Sequence, residues 1–209
     1  MSERDVPSGG TPLHLPILLS SRSRGTNGAL VQRTDRQGDL VITAKTVTDS
    51  HKRSRDEIHR QVEAAFARQK RGELELAAAV YRRVLAEDPN HAAALHYLGL
   101  IARRSGNSRE ALRLLQRSIE IDPTDPRAHN HLGQVHTDLD DRRNAALCFE
   151  RALQIDPNHV PSLNNLANVT MARDLSQAIA LYRRALELNP SAGLLAYNLA
   201  QALSEHGSF

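Results

Sequence analysis

The chain has no tryptophan, one cysteine in 209 residues and an aromatic content of only 3%. A lone thiol, Cys148, excludes an intrachain disulfide framework and fits a reducing compartment. Lying between Leu147 and Phe149 within a predicted helix, it reads as a packed thiol and not a nucleophile. Few aromatics with abundant alanine and leucine suit closely stacked helices better than one large globular core. Long apolar runs are missing too. The stretch Leu13-His14-Leu15-Pro16-Ile17-Leu18-Leu19 is too short, and too broken by His14 and Pro16, for a membrane span or a good signal peptide. A soluble cytoplasmic protein without membrane contact is the expectation.

Charge of one sign is scarce once the chain is divided. The formal charge of +3 and pI of about 9.3 suggest a nucleic-acid partner, yet residues 1–54 hold 8 Lys and Arg against 5 Asp and Glu. The excess therefore belongs to the amino-terminal arm, and 55–209 is balanced. The basic residues of the arm are scattered, without the dense clusters that binding phosphates needs, so no nucleic acid is expected. Catalytic signatures are lacking as well: no glycine-rich phosphate loop follows a strand, and no nucleophile elbow or opposed carboxylate pair appears. No catalytic residue, cofactor or metal is expected. His129, His131 and His136 form the one tempting metal cluster, but helical ligands need i,i+3 or i,i+4 spacing to share a face. These three are set for packing and groove polarity.

What the chain does have is a period. Pro89, Pro123, Pro157 and Pro190 close the phrases AEDPN, EIDPT, QIDPN and ELNPS, with successive prolines 34, 34 and 33 residues apart. A unit this short cannot bury its own apolar face, so it must stack on its neighbours, and the stack leaves an extended inner surface suited to another chain. Apolar residues recur at three and four positions, and Gly72, Gly106 and Asp140 mark turns between paired helices. The pattern predicts helices over 55–71 with 74–88, 91–104 with 108–121, 125–138 with 141–155, 159–172 with 175–188, and a ninth over 192–205. Ser54-Arg55-Asp56-Glu57 reads as a capping box that starts the first helix. Ahead of it, residues 1–54 carry 5 of the 11 glycines and no helical period, and read as a largely disordered, mildly basic arm. Within the arm, Leu40 to Val47 has the β-branched content of a single strand, and Thr11-Pro12-Leu13-His14 is a chance likeness to an ankyrin opening.

Aligned on the prolines, residues 58–209 resemble the tetratricopeptide repeat (TPR) family. The small residue late in each first helix is Ala65, Gly99, Gly133, Ala167 and Ala200. The second helices carry an alanine and a larger apolar residue four positions on: Ala77 with Tyr81, Ala111 with Leu115, Ala145 with Phe149, and Ala178 with Tyr182. That spacing places both on one face. Each proline ends its second helix by biasing its predecessor out of α geometry. The aromatic usual early in the first helix is replaced by Gln61, Leu95, His129, Leu163 and Ala196, Ala64 stands where leucine is usual, and the fourth unit lacks one residue near Arg173-Asp174.

The resemblance implies an all-α, right-handed TPR superhelix. It has four full repeats, about 58–91, 92–125, 126–159 and 160–192, and a partial fifth over 193–209. The repeats are most similar to those of bacterial O-linked N-acetylglucosamine transferase-like proteins, whose superhelix carries a ladder of asparagines. Asn165 and Asn198 occupy the ladder position here, and Tyr97 and His131 occupy it in earlier repeats. Asn130, Asn164, Asn168, Tyr197 and Arg127 complete the expected groove. Amides both donate and accept, so a row of them can grip an extended main chain of any sequence. The chaperone-type carboxylate clamp is not expected, because Val62 stands where its lysine belongs, while Arg103, Arg104 and Arg127 are candidates to meet acidic groups on a ligand. The leading functional expectation is a scaffold that binds a peptide or partner protein. The alternative is a substrate-recruiting front of an O-GlcNAc transferase-like, sulfotransferase or methyltransferase enzyme. The interrupted fifth repeat makes the final helix either a solubilising cap or the front of a longer protein continuing past Phe209, and its apolar character favours the second; self-association through that helix is a further alternative.

Overall fold

The computed structural model describes residues 44–207, with side-chain surroundings from residue 55 onward. Nine helices and no strand lie among the described residues: α1 (Ala44–Lys70), α2 (Leu74–Glu87), α3 (Ala92–Arg104), α4 (Ser108–Ile121), α5 (Pro126–Asp138), α6 (Arg142–Ile155), α7 (Val160–Thr170), α8 (Leu175–Leu188) and α9 (Gly193–Gly207). Their boundaries follow local chemistry. Asn107, Asp141 and Asp174 cap α4, α6 and α8 by accepting from Glu110, Asn144 and Gln177 amides. Asp88, Asp122, Asp156 and Asn189, each directly before a repeat proline, have ψ of 89°, 90°, 97° and 78°, out of α geometry as the prolines require.

Gly72, Gly106 and Asp140 take positive φ of 84°, 77° and 57°, the left-handed step that reverses the chain between paired helices. The fourth repeat turns without one. Having lost a residue, it ends α7 early at Thr170, whose carbonyl accepts from the amides of both Arg173 and Asp174 at 2.9 and 2.8 Å.

Two expectations are corrected at the amino-terminal end. Helix α1 begins at Ala44, so Ser54-Arg55-Asp56-Glu57 lies inside a helix and does not start one. A capping box satisfies two donors, whereas a nucleated helix gains a backbone bond with each added residue. The strand over 40–47 is overturned where it is described, because 44–47 are helical; the rest of that run, and Thr11-Pro12-Leu13-His14, lie outside the described residues.

The core is a string of small clusters along the repeat junctions, two of them where the fourth repeat meets the fifth. Tyr81, Leu115, Phe149 and Tyr182 are buried at its centre, Leu115 and Phe149 facing the glycine of their own first helix and Tyr81 and Tyr182 clustered with Ala65 and Ala167. The fit is tight: a Cβ placed on Gly133 would come within 2.5 Å of the Phe149 ring, and one on Gly99 within 3.0 Å of Leu115. Sequential helices pack on one another, and across repeats α3 also meets α5 and α5 meets α7, a closeness the second helices do not share. The stack therefore curves with its first helices inside. Helix α9 buries Leu195 and Ala202 and exposes Leu194 and Tyr197.

Candidate functional site

The inner face is crossed by a polar seam built at one register. Helices α3, α5 and α7 each place a residue against the following first helix, 34 or 35 positions on. Asn164 Oδ1 accepts from Asn198 Nδ2 at 2.9 Å, and Asn130 Oδ1 accepts from Asn165 Nδ2 at 3.0 Å. Within α7, Asn164 Nδ2 reaches Asn165 Oδ1 at 3.4 Å, which joins the two contacts into one line running Asn198, Asn164, Asn165, Asn130. Ser162 donates to Asn130 at 3.2 Å and is itself 2.8 Å from His159 Nδ1. At the preceding junction the same register holds rings, with His96 Nε2 2.7 Å from His131 Nδ1. One junction earlier the register is not kept: Tyr97 stacks instead on Phe66, 31 positions before it, with centroids 4.8 Å apart.

The sequence-predicted residues fall in different settings. Asn164, Asn165 and Asn198 are half-buried on the inner face and linked as described. Asn130 is 2% exposed and so anchors the line from beneath, out of a ligand's direct reach. Asn168 is exposed but turned to its own repeat, accepting from the Tyr182 hydroxyl at 2.5 Å. Tyr197 projects from α9, 67% exposed. His131 is committed to His96, and burial, with the neighbouring His96, pushes its imidazole down to about 3.

The arginines are less available than their sequence suggests. The Arg127 guanidinium folds back on Asp125 with both contacts at 3.0 Å. Burial alone would raise the Asp125 carboxyl, but hydrogen bonds from His96 and Arg127 hold it well below the usual carboxylate range. Arg103 forks onto Asp138 and Gln134 of α5 at 2.5 and 2.6 Å, tying the second repeat to the third. Arg104 is exposed. Val62, at the place of the clamp lysine, is buried in the core.

His129 meets the Pro123 carbonyl and His136 sits 3.2 Å from Asp141, so with His131 the three histidines point to three different partners. Among the described residues no group of three or more His, Cys, Asp or Glu is placed to hold a metal, and no helix is long and apolar enough to cross a membrane. Cys148 packs half-buried beside the cluster around Leu115, and burial pushes its thiol up to about 11. Sequence reasoning missed His96 and Asp125. The signal was present: His96, Asn130 and Asn164 share one repeat position, directly before the ladder position.

Stacked helix pairs with a polar seam along their inner face define a helical-repeat scaffold. More particularly, the chain belongs to the tetratricopeptide repeat family, whose models match residues 69–135, 126–159 and 172–209. No curated protein sequence matches it. Its fold is similar to that of YrrB, a TPR protein with an unusual peptide-binding site, at 18% identity and a TM-score of 0.60, covering 79% of this chain and 86% of that one. It is also similar to the first TPR of Spaghetti (RPAP3) bound to HSP90 peptide SRMEEVD, at 19% identity and 0.54, covering 56% of this chain and 93% of that one. A Thermobaculum terrenum O-GlcNAc transferase matches at 24% identity and 0.60 over 62% of this chain, which spans only 26% of the transferase. Identities this low carry the fold alone. The family and its peptide-binding neighbours support a protein-interaction scaffold.

Proposed function

We propose that the inner face binds an extended peptide, or an extended segment of a partner protein, through its main chain, with Asn164, Asn165 and Asn198 as the contacting amides and Asn130 as their anchor. The observation that carries this reading is the amide line across three successive first helices. Each primary amide has two N–H donors and a carbonyl with two lone pairs, and the line uses one N–H of each contacting residue. What is left suits the alternating carbonyl and amide groups of a peptide. Holding the side chains in a bonded row also lowers the entropy lost when a ligand arrives. The likeness to the transferase's repeat region is one of fold and assigns no chemistry to this chain. A cytoplasmic setting fits the single cysteine.

Spacing gives the reading a measurable form. Packed helices lie about 8–10 Å apart, and an extended chain advances about 3.3–3.6 Å per residue, so each repeat matches roughly three residues. Calorimetric titration with peptides of three, six and nine residues and unrelated sequences should show affinity that climbs with length across the series and survives scrambling. Affinity that follows one side chain and ignores length would count against main-chain recognition.

A further inference from the structure

The solenoid solves the same contact in two chemistries. Where the third repeat meets the fourth, and the fourth meets the fifth, the seam is closed by pairs of amides, Asn130 with Asn165 and Asn164 with Asn198. Where the second meets the third, it is closed by His96 and His131, with His96 only 3% exposed. Amides keep one protonation state across the physiological range. Imidazoles do not.

A single hydrogen occupies the 2.7 Å gap between the two rings. With both rings neutral, His131 Nδ1–H donates to His96 Nε2, which frees His96 Nδ1–H to face the Asp125 carboxylate 3.6 Å away. One added proton is accommodated, because a single hydrogen still bridges the two rings and the bond between them survives. A second proton is not. Two N–H groups would meet head-on, and two positive charges would share a buried contact.

The surroundings sharpen this limit. Arg103 of α3 and His159 ahead of α7 both add positive character near His131, and Asp125 opposes them. Arg127 of α5 spends its charge on Asp125. Asp122, at the end of α4, lines with His96, Tyr97, Asp125 and Arg127 a cavity of about 80 Å³. Helix α6 has its Asp141 against His136, at the other end of α5.

We propose that the His96–His131 pair is an acid-sensitive joint, holding the second and third repeats together while the pair carries at most one proton and loosening that junction when both rings are protonated. Repeats in a solenoid contact only their neighbours, so loosening one junction uncouples the units on either side. The joint works whether or not the groove holds a peptide.

The direction of the pH effect follows from proton counting. An unfolded chain protonates both histidines below about pH 6.5, whereas the folded pair takes one at most. Burial and His96 hold His131 down to about 3 in the folded state. The stabilisation from His131 is therefore complete above the unfolded value and is lost as pH falls from there toward about 3, with the unfolding constant rising up to about tenfold per pH unit. Between pH 6.5 and 4.5 this amounts to about fiftyfold for one proton, above the range in which carboxylates dominate.

The test is equilibrium urea unfolding of the full chain at both pH values, for the natural sequence and for the double substitution His96→Asn with His131→Asn, which copies the neighbouring seams. The natural chain should show an increase in its unfolding constant about fiftyfold larger than that of the double variant. Equal increases in the two proteins overturn the proposal. Should the double variant fail to fold at pH 6.5, ring-proton NMR of the natural chain decides: a His131 that remains neutral at pH 4.5 supports the joint, and one that titrates near 6.5 overturns it.

Discussion

Replacing Phe149 by alanine is expected to cost about 3–5 kcal/mol of folding stability, the range for deleting a fully buried aromatic ring. Phe149 is 1% exposed and fills the space left by Gly133 across the third helix pair. The contrast two residues earlier makes the prediction specific: Leu147 is 54% exposed on the same helix, and Leu147→Ala should stay within about 0.5 kcal/mol. The glycine side of the contact sets a second comparison. Gly133→Ala would bring a Cβ to 2.5 Å from a buried ring, whereas at Gly99 the nearest atom is Leu115 Cγ at 3.0 Å. Overpacking costs about 1–3 kcal/mol and alanine returns up to about 1 kcal/mol of helix propensity, so Gly133→Ala should destabilise clearly while Gly99→Ala comes out near neutral. Urea unfolding curves of the four variants check all of this. A Phe149→Ala protein as stable as Leu147→Ala would mean that the repeats do not pack as described.

The second large effect concerns binding. Changing Asn165 and Asn198 together to alanine removes two of the three contacting amides and breaks the line at all three of its joints. At about 0.5–1.5 kcal/mol for each hydrogen bond to the ligand, affinity for an extended peptide should fall between about tenfold and a hundredfold. Stability should change less than in Phe149→Ala, since both asparagines are half-exposed and water can replace the lost partners. Calorimetry on a nine-residue peptide reads the first effect and urea unfolding the second. Wild-type affinity in a folded double variant would remove the amides from the site.

How much of this was legible in the sequence depended on whether the cause was local. Proline after Asp88, Asp122, Asp156 and Asn189, and left-handed turns at Gly72, Gly106 and Asp140, are decided within a few residues, and both were foreseen in place. The pairing of Gly133 with Phe149 was half legible: helical spacing put each on the right face, while their contact depends on how two helices cross. Less could be seen where two local signals competed. Ser54 and Glu57 had the spacing of a helix start, yet the helix ran through them from Ala44. Arg127 looked ready for a ligand because its charge was read alone; Asp125, two residues earlier at the helix cap, captures it. The seam was hardest. The ladder position was recognised at Asn165 and Asn198, but each rung also needs the preceding position of the previous repeat. Which neighbour meets which follows from the rotation between repeats, a property of the stack.

The central claim, that the amide line on the inner face holds a peptide main chain, is tested most directly by side-chain amide NMR during titration with a nine-residue peptide. The account predicts that the NH₂ signals of Asn164, Asn165 and Asn198 shift together, with a saturation curve that matches calorimetry, while signals from the outer helices α4, α6 and α8 stay in place. Shifts confined to those outer helices, with the three asparagine signals unmoved at saturation, would contradict it.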